Sequence, residues 1–454
     1  MEPPRSYRDP YHKFCDGGFF MKIDEIVSLC KRRGFVYPSS EIYGGVGGFW
    51  DYGPLGVEFA NNIKRAWWKA MVHDRDDVVG LDASIIMNPK VWEASGHVSS
   101  FTDPLVECKV CHERFRADQP DEIESHEIYH RGRNVTDVSW TEPRQFNLLF
   151  RTFVGPVEDN SSLAYLRGET CQGIYVNFPN VVSSSRVRVP FGIAQIGKAF
   201  RNEVTPGKFL FRLREFEQME LEFFVHPKEG EKWFRYWKEE RMKWHLSLGF
   251  TKEHLRYRQH ESDERAHYAA DSWDIEYDFP EWGFKELEGV ANRTDYDLKT
   301  HGKWSGKDLS YTDPITKDSY IPYIIEPSVG VSRLFLALLI DAYHKDEKRV
   351  VLKLNPKLAP YKVAVFPLVA NKPELVEKAR GIYQELKKSL VVAWDERGNI
   401  GKRYLAQDEI GTPWCVTADY ATLEDNTVTV RDRDTTKQER IKIDELTEYF
   451  QENL

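Results

Sequence analysis

Apolar positions recur with two different periods along this chain of 454 residues. Helical spacing shows at Ile26, Leu29 and Cys30, and through VEFANNIKRAWWKAM at 57–71. Strand-like runs follow at ASIIM (83–87), GIYVNF (173–178), FGIAQIGKAF (191–200), FKELEGV (284–290) and YIPYIIEP (320–327). They lack the strand–helix rhythm of a parallel sheet, so the expected class is α+β, an antiparallel sheet with flanking helices over residues 1–345. A polar, charged stretch at about 105–145 reads as an insertion, and the two prolines of DEKRVVLKLNPKLAP mark a linker at 346–360. Beyond it, YKVAVFPLV, PELVEKARGIYQELKKSL, VVAWDE, KRYLAQDEI, WCVTADY, TVTVRDRD and a closing helix from Asp444 predict a mixed α/β domain over 361–454. No internal repeat is evident.

The densest polar pattern lies in FRNEVTPGKFLFRLREFEQMELEFF (200–224), where TPGK predicts the turn of a hairpin. Alternation puts Phe211, Leu213, Met219, Leu221 and Phe223 on one face. The other face carries Arg212, Arg214, Phe216, Gln218, Glu220 and Glu222, while Arg201 and Glu203 share a face across the turn. Cross-strand ion pairing on a half-solvated sheet explains alternation alone. The grading along the strand adds more: guanidiniums grip phosphates, a ring stacks on a base, and carboxylates hold an ammonium. ATP beside an amino acid fits that order.

Two further stretches point the same way. FKELEGVANRTDYDL places Glu286 and Glu288 two apart on a strand, a pairing suited to a hard cation such as Mg²⁺ or to plain surface exposure. IIEPSVGVSRLFLALL runs from a strand ending at Glu326 and Pro327, through a glycine turn, into an apolar helix with Arg333 in its first turn. Such a helix start suits an anion. In the insertion, Cys108 and Cys111 precede HEIYH at 126–130, giving a C-x2-C-x14-H-x3-H spacing. A structural zinc, a metal-free charged insertion and a zinc-protease H-E-x-x-H helix are the three readings, the last opposed by the charged surroundings. No metal ligand is assigned from the sequence.

Composition narrows the class. A 41% hydrophobic and 30% charged chain is globular, and its longest apolar run, LFLALLI at 334–340, is far short of a membrane span. The start MEPPRSYRDPYHK has no apolar targeting core, so a cytoplasmic protein is expected. Six cysteines, four of them isolated, do not make a disulfide framework. A net charge of −9 requires any nucleic acid to be met by a local basic patch.

FRNE (200–203), FRLREFEQME (211–220) and EPSVGVSR (326–333) resemble motifs two and three of class II aminoacyl-tRNA synthetases. SSEIYGG (39–45), DYGPLG (51–56), WEASGH (92–97), RFRAD (114–118), TEPRQFN (141–147), ETCQG (169–173), DEIGTP (408–413) and TVTVRDRD (427–434) resemble dimeric glycyl-tRNA synthetases in particular, and the likeness runs from about residue 24 to the C-terminus. It implies a homodimer, a C-terminal anticodon-binding domain, ATP with Mg²⁺, and glycine and tRNA(Gly) as partners. The helix at 57–71 and a strand ending near Pro89 look like motif one, the dimer interface.

Carried over by position, Arg201, Glu203 and Arg333 are the catalytic residues. Arg201 would hold the α-phosphate and the glycine carboxylate, Glu203 the adenine amino group and Arg333 the γ-phosphate, with Phe216 stacked on the base. Around them the ATP site would take Asn202, Phe211, Arg212, Leu213, Arg214, Glu215, Glu286, Leu287, Gly330, Val331 and Ser332. The glycine site would take Arg116, Glu169, Phe216, Glu217, Gln218, Met219, Glu220, Glu326, Ser328 and Gly330. Lys402, Arg403, Arg431 and Arg433 are candidate phosphate contacts in the last domain. The chain departs from the family pattern at RGETCQG, where Gly168 and Cys171 replace proline and alanine, and at Ser332. It also lacks a second cysteine pair before TEPRQFN. A non-catalytic synthetase-like binder and a tRNA-independent amino-acid activator are the rival readings.

Overall fold

A computed structural model describes residues 23–135, 137–261 and 270–454. The amino-terminal stretch read for targeting lies outside these residues. Helix α1 (Ile23–Arg33) starts with Asp24 and Glu25 and ends with Lys31, Arg32 and Arg33, charges that complement its dipole, and buries Ile26, Leu29 and Cys30. Helix α2 (Pro54–Trp68) opens on a proline, needs no N–H there, and buries Phe59, Ile63 and Trp67. One π-helical turn, Lys69–His73, extends it. Strand β1 (Val78–Gly80) follows. ASIIM forms no strand: its one pairing is an isolated bridge between Ile86 and Leu166. Pro89 begins a short helix, Pro89–Ala94, so the strand expected to end there is absent and β1 takes the sheet position after α2.

The insertion is a small layer of its own. Strands β2 (Thr102–Glu107), β3 (Arg114–Arg116) and β4 (Arg144–Asn147) form a sheet of order β3-β2-β4, and helix α3 (Pro120–Arg131) packs beside it.

GIYVNF belongs to helix α4 (Cys171–Ser185) rather than to a strand. Its β-branched and aromatic content suggested a strand, but Cys171, Ile174, Tyr175, Phe178 and Val181 recur at helical intervals and all are buried. Strands β5 (Phe191–Phe200) and β6 (Glu215–Val225) pair antiparallel, with Phe200 opposite Glu215. Then come α5 (Gly230–Ser247), β7 (Leu255–Gln259), β8 (Asp271–Phe279), β9 (Gly283–Thr294) and α6 (Tyr296–Ser305). Strand β10 (Tyr323–Gly330) runs straight into α7 (Val331–Ala342). The central sheet has the order β7-β8-β9-β10-β6-β5-β1, antiparallel except for the β1–β5 edge. Helix α7 is buried on nearly every side, between this sheet and α2.

The linker region is not a plain connector, since Val350–Leu352 pairs back on Tyr343–Lys345. After it, β11 (Val363–Pro367), α8 (Pro373–Leu386), β12 (Val392–Trp394), α9 (Ile400–Ile410), β13 (Trp414–Ala418), β14 (Thr427–Asp432), β15 (Gln438–Lys442) and α10 (Leu446–Glu452) form a mixed sheet of order β12-β11-β13-β14-β15. It has its own core around Val363, Ile382, Val416 and Phe450. Among the described residues no helix is long and apolar enough to cross a membrane.

Candidate active site

The open face of the central sheet carries a cavity of about 480 Å³ lined by β6, β8, β9, β10, the segment before β6 and the insertion. Strand β6 is regular, so its alternation survives: Phe216, Gln218 and Glu220 all line the cavity. Odd positions face the other way. Glu217 pairs with Lys64 of α2 at 2.9 Å, Glu215 with Lys198 at 2.9 Å, and Met219 is core. Glu215, Glu217 and Met219, expected in the site, are therefore outside the lining.

The expected tight hairpin at TPGK is instead a long connection. β5 ends at Phe200, and residues 201–214 form an irregular loop before β6. Arg201 and Glu203 sit in a three-residue turn, Glu203 N–H bonding Arg201 O at 2.7 Å, and do not share a strand face. Both still line the cavity, with Phe211, Arg212 and Leu213. Asn202 and Arg214 do not; Arg214 donates to the Glu203 and Gly47 carbonyls and so braces the loop. Arg201 donates Nε–H to the Gly168 carbonyl at 3.0 Å, and its guanidinium lies 5.3 Å from the Phe101 ring and 5.6 Å from Phe216.

Glu286 and Glu288 part company at a β-bulge. The β8–β9 register slips there, Glu276 opposing Glu286 and Ile275 opposing Glu288, so Leu287 is the extra residue. Glu286 stays at the cavity, 3.1 Å from Arg333, and this guanidinium holds its carboxyl below the usual range. Glu288 is fully buried against α5, bonded to Arg241 and, at 2.6 Å, to His245. It is a core ion and no partner to Glu286 for a cation. Leu287, Gly330, Ser332 and Arg333 line the cavity, whereas Val331 is core. The Arg333 guanidinium lies 4.4 Å over the Phe211 ring.

At the other end, carboxylates crowd together. Glu220 accepts from Thr170 N–H at 2.9 Å, from the Thr170 hydroxyl, from Gln218 Nε2 at 3.0 Å and from Ser328 Oγ at 2.7 Å, which fixes its position. Glu169 is met by the Cys171 thiol at 3.0 Å, Gln172 Nε2 at 2.9 Å and His97 Nε2 at 3.4 Å. Burial would raise its pKa, but His97, Arg293 and the thiol hold it well below the ordinary value. Glu326 accepts from Arg293 at 2.9 Å, yet burial pushes it up to about 8, Arg293 opposing and Glu220 and Glu169 adding to the rise. Glu222 lies beneath, bonded to Tyr175 at 2.6 Å and pushed well upward by burial and by Glu326. The cluster has more carboxylate than the cations around it neutralise.

Arg116 reaches the cavity from β3, ion-paired with Asp103 at 3.0 Å and Asp118 at 2.7 Å. The sequence reasoning did not find Phe101, Asp103, His260 and Asp274, which also line it. Asp274 is buried and, through burial and the Glu286 charge, pushed up to about 6. The D-x-E alternation of Asp274 and Glu276 was the available signal.

Of the four phosphate-contact candidates, only Lys402 is exposed. Arg431 is buried in a two-pronged pair with Asp408 at 2.8 and 2.9 Å. Arg403 donates to the carbonyls of Pro367, Gly398 and Glu396, and Arg433 to that of Gly411. These three arginines hold the domain together.

Residues 152–343 match the tRNA synthetase class II core domain (G, H, P, S and T), and 362–453 match the anticodon binding domain. The chain is 54% identical to a glycine–tRNA ligase of Thermobifida fusca, over 95% of this chain and 98% of the relative. The chain belongs to the glycine–tRNA ligase family. A Streptomyces coelicolor glycine–tRNA ligase is 54% identical and one from Caldanaerobacter subterraneus 53%, each over 95% of this chain and 98% of its own length. Class II synthetases use ATP.

Proposed function

We propose that the chain activates glycine with ATP to glycyl-adenylate and transfers the glycyl group to the 3′ end of tRNA(Gly). The observation that carries this is a single cavity lined both by the carboxylates of Glu169, Glu220 and Glu326 and by the guanidiniums of Arg201, Arg212 and Arg333. Glycine offers no side chain to read, so its ammonium and carboxylate must supply the affinity. Carboxylates around the ammonium provide it, and filled space beyond excludes larger amino acids. Glu220 and Glu326 are the proposed ammonium partners, with Ser328 beside them. Arg201 takes the glycine carboxylate and α-phosphate, and Arg116 closes over the site from the insertion.

At the nucleotide end Phe216 stacks on the base, Glu203 accepts from its amino group, and Arg333 takes the γ-phosphate. Glu286 would hold the Mg²⁺ carried on the ATP phosphates. The glycine carboxylate attacks the α-phosphorus, pyrophosphate leaves, and the terminal tRNA hydroxyl then attacks the adenylate carbonyl. No protein nucleophile is needed, because positioning and charge stabilisation suffice. The C-terminal domain reads the anticodon in the cytoplasm, where charged tRNA is used. A homodimer is supported by exposed Ile42, Tyr43 and Val46, apolar side chains that a second copy would cover.

The test is amino-acid-dependent ATP–pyrophosphate exchange with glycine, alanine and serine in parallel, followed by tRNA charging. Exchange with glycine alone, and charging of tRNA(Gly), is expected. Exchange without charging would favour the tRNA-independent activator, and no exchange in folded protein the non-catalytic binder.

A further inference from the structure

The insertion brings four soft donors to one point. Cys108 and Cys111 sit in the turn between β2 and β3, closed by Cys108 N–H to Glu113 O and His112 N–H to Cys108 O, both 2.9 Å. His126 and His130, one turn apart on α3, face them. Cys108 Sγ is 3.7 Å from His130 Nε2, Cys111 Sγ is 3.3 Å from His126 Nε2, and the two Nε2 atoms are 3.1 Å apart. All four donor atoms lie within 4.8 Å of one another. A tetrahedral zinc with Zn–S near 2.3 Å and Zn–N near 2.0 Å requires donor–donor edges of about 3.3–3.8 Å. The two sulfur–nitrogen distances fall within that range, and the Nε2–Nε2 separation of 3.1 Å is slightly shorter than it.

We propose that Cys108, Cys111, His126 and His130 bind one structural Zn²⁺ that clamps α3 to the β2–β3 turn and thereby fixes Arg116 over the cavity. Two thiolates with two imidazoles are a soft set that selects zinc over the hard cations. Binding releases the two thiol protons. His126 also has Glu113 Oε2 3.4 Å from its Nδ1, the kind of outer carboxylate that orients a ligating imidazole. Four protein donors close the coordination shell, so no position is left for a catalytic water. Glu127, the would-be base of an H-E-x-x-H protease, accepts instead from Trp140 Nε1 at 3.0 Å.

The link to Arg116 is short. Arg116 ends β3, whose other end leads back to the Cys111 turn, and α3 begins four residues beyond it at Pro120. With the clamp open, β3 and α3 separate and Arg116 loses its fixed distance to the site.

The experiment is metal analysis of the full-length chain purified without chelator, for wild type and Cys111→Ser. One zinc per chain is expected in wild type and less than about one-tenth in the variant. Replacing zinc by Co²⁺ in wild type should give thiolate charge-transfer bands and the visible absorption of a tetrahedral site. Folded wild-type protein that holds no zinc, as purified or after Zn²⁺ addition, and shows no such cobalt spectrum overturns the site. In the exchange assay Cys111→Ser should raise the glycine KM about tenfold with kcat within about twofold, a free-energy loss of about 1.4 kcal/mol. An unchanged KM with zinc lost overturns the link to Arg116. That link rests on the glycine-site reading above, whereas zinc content does not, so the two failures are distinguishable.

Discussion

Arg293 Nη1 lies 2.9 Å from Glu326, and both side chains are buried, yet the Glu326 carboxyl is still pushed up to about 8. One guanidinium, itself shared with Asp297 at 2.8 and 2.9 Å, does not offset Glu220, Glu169 and burial together. Glu326 therefore holds a proton at neutral pH until a cation arrives. On the proposed function glycine's ammonium is that cation, so its binding at pH 7 should release a proton. Glycine affinity should rise about fivefold from pH 7 to pH 8 as this cost shrinks. The sign for stability is opposite. The folded pKa exceeds the unfolded value, so the ligand-free protein binds the extra proton and loses stability as pH rises from about 4.3 toward 8. Calorimetry in buffers of different ionisation enthalpy measures the proton directly, and glycine binding without proton release at pH 7 contradicts this account.

Arg201 is the residue whose loss should cost most. Its Nε–H is spent on the Gly168 carbonyl, which leaves the two terminal nitrogens as its donors for the α-phosphate. Arg201→Ala should lower glycine-dependent ATP–pyrophosphate exchange by about two to three orders of magnitude, the scale for removing one preorganised donor to developing charge. Arg201→Lys should recover little, because an ammonium lacks the planar fork. A loss below tenfold in the alanine variant removes the role given to Arg201.

How far the sequence reached depended on local regularity. Phe216, Gln218 and Glu220 were legible because β6 is an unbroken strand, and parity alone placed them on the cavity. The same rule put Glu288 beside Glu286, and one bulge residue, Leu287, sent it to the opposite side of the sheet. Arg212 and Leu213 reach the cavity from an irregular loop, where alternation carries no information. Helix α4 was hidden by its strand-like composition, although its buried residues follow the helical period. Arg431 and Asp408 stand 23 positions apart, and nothing local announces that they pair. Asp103 escaped notice for the same reason, since its partner Arg116 lies on the neighbouring strand.

The buried arginines of the last domain separate stability from tRNA binding. Arg431→Ala leaves the fully buried Asp408 with Arg349 at 2.8 Å as its remaining guanidinium. It should destabilise the chain by about 3 kcal/mol, the lower end for breaking a buried pair. Lys402→Ala should leave stability unchanged and raise the KM for tRNA a few-fold, more at low salt than at high. Denaturant unfolding and charging at two salt concentrations test both. A stable Arg431→Ala protein with a selectively raised tRNA KM would return that residue to the nucleic-acid surface.

Cys171 lies buried among the carboxylates Glu169, Glu220 and Glu326, and the cost of replacing it should be small. The thiol is buried, its pKa driven well upward by burial and by Glu169, so it is a neutral donor and no nucleophile. It gives Glu169 one hydrogen bond at 3.0 Å, and Gln172 and His97 remain when it is removed. Cys171→Ala should therefore change the glycine KM by about two- to fivefold and leave kcat near wild type, the effect of one weak donor among several. Steady-state exchange kinetics over a glycine series measure it. A kcat loss beyond tenfold would mean that the thiol fixes the Glu169 geometry on which the chemical step depends.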